Sequence, residues 1–285
     1  MSELQTLLLG LIAGGTILIG LPIGRARALP AGARQLLNAL TVGILLFLIW
    51  DVLTHAFEPL DAALIQFRTG GGGLGPVAGY GAIFIGGLTV GLGVLVLYER
   101  WMATRGRAMT SNFGPGGMGA GELAAQRAGI ASWPAARRLS LLIAVGIGLH
   151  NFGEGLAIGG SAAAGAISLA TLLVIGFALH NATEGFGICA PLAASDDRPS
   201  WGFLLLMGAI AGGPTFVGTA VGRQFSSELV SMVFLTLAAG SILYVVIQLL
   251  GVAQRAGRKE LMYAGVLLGL AAGFVTDMVV TAGGA

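Results

Sequence analysis

The chain has 285 residues, of which 55% are hydrophobic and only 10% are charged, and its mean hydropathy is +0.88. Because roughly a quarter of the residues in a soluble domain are charged, this composition excludes an ordinary soluble fold and indicates a protein of the lipid bilayer. The net charge of +2 excludes little, while the single cysteine, Cys189, excludes an internal disulfide framework.

Eight apolar segments are long enough to cross a bilayer as α-helices, which takes about 20 residues each. The strands of a membrane β-barrel would instead alternate in short runs with many turns. We therefore predict an all-α, polytopic membrane protein whose eight transmembrane helices form one domain over residues 1–285. The predicted spans are 4–24, 36–57, 77–99, 139–161, 165–193, 200–222, 227–250 and 261–281.

Basic residues divide unequally between the predicted loops. If the N-terminus lies outside, thirteen of the fifteen Lys and Arg residues fall on the cytoplasmic side, and only Arg68 and Arg223 fall outside. The positive-inside rule therefore places both termini outside. The cytoplasmic loop at about 100–138 is rich in Gly, Ala and Arg and is predicted to be a flexible linker. Its charges suit lipid headgroups, and we expect no binding of nucleic acid.

The second span carries the first polar residues within the predicted membrane region. Asp51 and His55 are four residues apart and so share a helix face, and Glu58 with Pro59 marks the predicted outer end of the helix. One interpretation is an entrance that passes cations inward from Glu58 past His55. The other interpretation is a polar cluster at a helix end.

A repeated polar motif occupies the fourth and fifth spans, as LHNFGEGLAIGG at 149–160 and LHNATEGFGICA at 179–190. An ionisable side chain near the bilayer centre costs about 2.5–3.5 kcal/mol and so indicates function by default. In each copy the histidine and the glutamate share one helix face, with the asparagine about 100° away. Because the link near 162–165 is short, the two helices are predicted to be antiparallel neighbours. Their polar faces then bring together His150, Glu154, His180 and Glu184, with Asn151 and Asn181 beside them.

Two imidazoles and two carboxylates suit a divalent first-row metal ion. A binuclear site would need the asparagines and a shared carboxylate as well. Two interpretations without metal stay open, namely a structural network of ion pairs and a proton relay. An intramembrane metallo-hydrolase is a further alternative, although the H-E-x-x-H motif does not occur in the sequence.

The doubled motif resembles the signature of the ZIP (Zrt/Irt-like protein) family of divalent metal transporters, and the resemblance spans essentially the whole chain. It implies a ZIP-like helix bundle that is a transporter and not an enzyme. The implied substrate is Zn²⁺, or iron, manganese or cadmium, moved toward the cytoplasm through a midplane site. We expect a multi-pass protein of a prokaryotic inner membrane, with a homodimer as one option. The alternatives are the metallo-hydrolase and a proton-coupled carrier of an organic solute.

Two positions depart from the pattern of the family. Gly153 stands where the family usually has proline, and Pro214 is followed by Thr215 where many members have a glutamate beside the proline. Without that carboxylate, mononuclear and binuclear sites remain alternatives. The resemblance implies that the metal ligands are His150, Glu154, His180 and Glu184. It places Asn151 and Asn181 at a second, adjacent metal position. Asp51 and His55 are then a further ligand or line the entrance.

Overall fold

The computed structural model describes residues 2–26, 30–111, 130, 133–165, 167–193, 195, 198–224, 227–255 and 257–282. Within these ranges every regular element is helical, and eight helices are long and apolar enough to cross a membrane. The predicted all-α polytopic fold is thereby confirmed. The helices are α1 (Glu3–Arg25, ending in a 3₁₀ turn at Leu21–Arg25), α2 (Ala31–Arg68), α3 (Leu74–Ser111), α4 (Ala135–Ala163), α5 (Ile167–Ala193), α6 (Trp201–Gly222), α7 (Glu228–Arg255) and α8 (Lys259–Ala282).

Helix α2 is longer than the sequence predicts. It continues beyond Pro59 to Arg68, so the prediction that Glu58 and Pro59 mark its outer end is wrong. Proline removes one backbone donor and usually ends or kinks a helix, but Leu60 and Ala63 in the next turn are buried. Tertiary packing of these two side chains accounts for the additional helical turns.

The segment predicted as a cytoplasmic linker, 100–138, is helical at both ends. Helix α3 continues to Ser111, and α4 begins at Ala135. Most of the segment between them, 112–129 and 131–132, lies outside the described residues, so the flexibility of the linker stays a prediction.

Helices α4 and α6 approach each other so closely that backbone meets backbone. A Cβ atom added at Gly155 would overlap the carbonyl oxygen of Thr215, and one at Gly159 would overlap that of Thr219. The small-xxx-small spacing of these glycines is therefore used for close helix packing. Glycines also sit at the contacts of α3 with α7 and of α2 with α8, namely Gly91, Gly240, Gly43 and Gly269.

The helix contacts divide the bundle into two groups. Helices α1 and α4 both pack against α5 and α6, whereas α2 packs against α7 and α8, and α3 against α7. The two groups meet where α4 contacts α7 and where α2 contacts α5. The helices that carry the repeated motif, α4 and α5, therefore belong to the first group and form its contacts with the second.

Candidate metal site

His150 and Glu154 form a buried pair near the middle of α4. His150 Nε2 lies 3.0 Å from Glu154 Oε1, and each of the two side chains is only 3% exposed. The pair forms because residues four apart on a helix are neighbours on one face. An ionisable pair that is kept out of water at membrane depth is costly, which marks this place as a candidate site. We call these two residues the buried pair.

Helix α5 brings two more polar side chains to the buried pair. The link after Ala163 is short, so α5 returns antiparallel to α4, and both Asn181 and Glu184 are buried. Asn181 Nδ2 lies 3.4 Å from Glu154 Oε2 and donates to the carbonyl oxygen of Ala13 at 3.0 Å. The polar faces of α4 and α5 therefore meet, and α1 closes one side of the region.

His180 occupies α5 one turn before Glu184, and its side chain lies outside the part that the structure describes. Among the described side chains, no three of His, Cys, Asp or Glu are close enough together to hold a metal ion. The described geometry thus places the buried pair beside one face of α5, and a ligand set that includes His180 stays a prediction.

Asn151 is turned toward α6, where its Nδ2 donates to the carbonyl oxygen of Ala211 at 2.9 Å. Three buried oxygen atoms of this region have no hydrogen-bond partner among the described residues: Oδ1 of Asn151, Oδ1 of Asn181 and Oγ1 of Thr215. A buried polar atom without a partner costs about 1–3 kcal/mol. Of these residues, Asn181 contacts Glu154, so its uncharged oxygen is the nearest candidate donor for a cation or for its bound water.

Thr215 is a polar residue of this region that the sequence analysis did not identify as a candidate. Its hydroxyl points to the contact between α6 and α1, since a Cβ atom added at Gly14 would lie 3.0 Å from Thr215 Oγ1. Its carbonyl oxygen packs on Gly155, the residue after Glu154. The sequence signal for Thr215 is its place directly after Pro214, as one of two threonines in a mostly apolar helix.

Asp51 and His55 lie apart from the buried pair, on the surface of α2. His55 Nδ1 is 3.6 Å from Asp51 Oδ1 and 2.9 Å from the carbonyl oxygen of Asp51. The side chain of His55 is 59% exposed, and that of Asp51 is 28% exposed. We call them the exposed pair, because their accessibility distinguishes them from the residues on α4 and α5.

The exposed pair nevertheless lies at a depth similar to that of the buried pair. Helix α7 packs on α2 where Val52, the residue after Asp51, forms a cluster with Ala238 and Ala239. It packs on α4 where the Ser241 hydroxyl donates to the carbonyl oxygen of Gly146, one turn from His150. Since α7 advances 1.5 Å per residue, the two pairs lie at nearly the same level in the bundle.

A comparison with protein families gives one match that bears on this site. The model described as ZIP Zinc transporter matches residues 103–276, more than half of the chain, and this range includes α4 to α7 and both copies of the repeated motif. A search of curated proteins gives no match. With eight membrane-spanning helices and this family match, the chain belongs to the ZIP family of zinc transporters, whose members carry divalent metal ions across membranes.

Proposed function

We propose that this protein carries Zn²⁺ toward the cytoplasm and binds it midway through the membrane between α4 and α5. The observation that supports this best is the contact between Asn181 and Glu154, which joins the two motif helices at a buried His–Glu pair. The proposed ligands are His150, Glu154, His180 and Glu184, with Asn151 and Asn181 as neighbouring oxygen donors.

The buried pair offers a simple exchange of a proton for a metal ion. His150 Nε2 and Glu154 Oε1 lie 3.0 Å apart, so both atoms are within reach of a single metal ion. Imidazole and carboxylate bind a metal only when they are deprotonated, so protons compete with the ion for these two groups. Glu154 and Glu184 together balance the two positive charges of the ion, which lowers the cost of holding it in an apolar bundle.

Transport also requires that the ion leaves the site, so binding must be moderate. A closed tetrahedral shell of four fixed ligands is typical of structural zinc, which stays bound. Alternating access avoids this trap when one group of helices moves against another around a midplane site. The division of the bundle into two groups, with α4 and α5 at their boundary, suits such a movement.

The exposed pair is proposed to line the entrance. The exposure of the pair, 59% for the His55 side chain, suits residues that a partly hydrated cation meets before it reaches a buried site. A carboxylate beside an imidazole attracts a divalent cation and exchanges it readily while water can still reach the site. The orientation with both termini outside, the prokaryotic inner membrane and the homodimer stay predictions.

Membership of a transporter family favours transport over the hydrolase alternative. The test is zinc uptake by liposomes that contain the purified protein and a zinc-sensitive dye, with a parallel search for cleavage of peptides. We expect zinc uptake without cleavage of peptides. Competition by excess Cd²⁺, Fe²⁺ or Mn²⁺ then ranks these cations by how strongly each reduces zinc uptake. Peptide cleavage without metal uptake would contradict the proposal.

Zinc affinity is expected to fall as the pH is lowered from about 8 to about 5, because protons compete for imidazole and carboxylate in that range. The sign follows from the exchange described above, in which binding releases protons. Calorimetric titrations in two buffers with different ionisation enthalpies measure both the affinity and the protons released. An affinity that does not change with pH would show that the metal binds elsewhere.

A further inference from the structure

Helix α1 is interrupted near the middle of its membrane span. One α-helical segment covers Glu3–Gly15 and a second, short segment covers Ile17–Gly20, with Thr16 as the turn between them. The backbone tightens after the interruption, because the amide of Ile19 donates to the carbonyl oxygen of Thr16, three residues earlier, at 2.9 Å. Irregular backbone is tolerated at membrane depth only where it is buried in protein or lines a cavity, so the neighbours of this turn indicate its role.

Helix α1 changes its packing partner at the interruption. Before it, α1 meets α6, because a Cβ atom added at Gly14 would overlap the carbonyl oxygen of Gly212. After it, α1 meets α5, because a Cβ atom added at Gly185 would overlap the carbonyl oxygen of Ile17. Gly185 follows Glu184 directly in the sequence. Helix α1 therefore packs on the turn of α5 that carries this carboxylate.

A chain of hydrogen bonds leads from the interruption to the buried pair. The Thr16 hydroxyl donates to the carbonyl oxygen of Ala13 at 2.7 Å, a local bond of the kind that often bends helices. The same carbonyl oxygen accepts from Asn181 Nδ2 at 3.0 Å. Asn181 Nδ2 in turn lies 3.4 Å from Glu154 Oε2. Thr16 is therefore connected to Glu154 through Ala13 and Asn181.

These bonds fix the orientation of the Asn181 amide. The carbonyl oxygen of Ala13 can only accept a hydrogen bond, so the amide nitrogen must face it and the amide oxygen cannot. The oxygen, Oδ1, is buried and has no hydrogen-bond partner among the described residues. Because it belongs to the same planar group as Nδ2, it stays near Glu154. It is thus an uncharged oxygen that is held in place for a cation.

We propose that the interruption in α1 is part of the metal site. It holds Asn181 so that the amide nitrogen supports Glu154 and the amide oxygen faces the transported cation. Thr16 is a positioning residue, since it acts on the cation through Ala13 and Asn181. An oxygen that is oriented in advance loses less freedom when the ion binds, which favours affinity. This inference rests on the proposed transport function and adds to it a residue of a helix that lacks the repeated motif.

The test removes the Thr16 hydroxyl by Thr16→Val, which keeps the shape of the side chain. The carbonyl oxygen of Ala13 then loses one of its two side-chain donors, and the Asn181 amide is held less firmly. We expect the zinc affinity of the purified protein to fall about fivefold, the equivalent of one ordinary hydrogen bond. The melting temperature should not fall, because this carbonyl oxygen still accepts from Asn181. Thr16→Ser restores the hydroxyl and should restore the affinity.

Thr236→Val is the matched control. The Thr236 hydroxyl donates to the carbonyl oxygens of Met232 at 2.8 Å and Val233 at 3.0 Å. It therefore makes the same kind of local bond inside a membrane helix, but on α7, which does not carry the repeated motif. This variant should bind zinc with the wild-type affinity.

A double-mutant cycle distinguishes positioning from a general structural effect. Asn181→Ala alone is expected to lower zinc affinity by about 10–100-fold, as for other residues that support a metal ligand. If Thr16 acts through Asn181, Thr16→Val should cause no further loss in the Asn181→Ala background.

Wild-type affinity in either single variant, or the same loss from Thr16→Val in both backgrounds, would overturn the inference. If Asn181→Ala does not fold, the comparison of Thr16→Val with Thr16→Ser decides, and equal affinities for these two would overturn it as well. A wild-type protein that binds no zinc would instead contradict the proposed function itself.

Discussion

Glutamine in place of Glu154 is expected to reduce zinc flux to background and to lower zinc affinity by at least about 100-fold. The reason is that even the loss of a residue that only supports a metal ligand lowers metal affinity by about 10–100-fold. Glutamine keeps the size of the side chain and can still contact His150 and Asn181. It lacks the negative charge that balances the ion. Flux into dye-loaded liposomes and equilibrium zinc binding measure the two effects.

The same substitution is expected to leave the fold intact. Removal of one partner of a buried pair destabilises a protein when it leaves an uncompensated charge, and a neutral imidazole at His150 leaves none. Loss of transport with a retained melting temperature would therefore separate function from folding. Wild-type flux in the Glu154→Gln protein would contradict the assignment of this carboxylate.

Glu99→Gln is the matched control. Glu99 Oε2 accepts hydrogen bonds from the Tyr244 hydroxyl at 2.9 Å and from Gln248 Nε2 at 3.0 Å, so it too is a carboxylate held between two helices. It lies on α3, away from the motif helices, and its neutral variant should bind zinc with the wild-type affinity. An equal loss of affinity in both variants would indicate a general effect of charge.

Alanine in place of Gly159 is expected to destabilise the bundle by about 1–3 kcal/mol, the usual cost of inserting a methyl group into a packed core. The added Cβ atom would overlap the carbonyl oxygen of Thr219 and lie 2.9 Å from the backbone nitrogen of Arg223. Both are backbone atoms, one within α6 and one in the residue that follows it, so no side chain can rotate away. The two helices must separate instead. Thermal unfolding of the purified protein at a fixed heating rate measures the change.

Gly160→Ala provides the control one residue further along α4. A Cβ atom at Gly160 would meet only the carbonyl oxygen of Gly222, at 3.8 Å, which is an ordinary contact. This variant should unfold at the wild-type temperature or slightly above it, because alanine favours helix over glycine by about 1 kcal/mol. Equal unfolding temperatures for the two variants would show that close contact of α4 with α6 does not stabilise the bundle.

Local patterns in the sequence predict much of this fold. Long apolar runs predict the eight spans because the bilayer fixes how many residues a helix needs to cross it. The four-residue spacing of His150 and Glu154 predicts their pairing because it depends only on the geometry of a single helix. The continuation of α2 past Pro59 was missed because it depends on the burial of Leu60 and Ala63 by other helices.

The surroundings of the candidate site depend on contacts that no single segment encodes. Asn151 and Asn181 occupy equivalent places in the repeated motif, but Asn151 bonds to α6 while Asn181 bonds to α1 and contacts Glu154. Which neighbour each asparagine meets follows from the packing of α4 and α5 among the other helices. Thr215 joins the polar region for the same reason, since its place beside Gly14 and Gly155 is set by glycine contacts between helices.

The most direct test is anomalous diffraction from crystals of the wild-type protein soaked in zinc. We predict a peak between α4 and α5 at about 2.0–2.2 Å, the usual length of zinc bonds to nitrogen and oxygen, from His150 Nε2 and from carboxylate oxygens of Glu154 and Glu184. An ordered zinc ion at another place, with His150 and Glu154 still bonded to each other, would contradict the proposal that these two helices hold the transported metal.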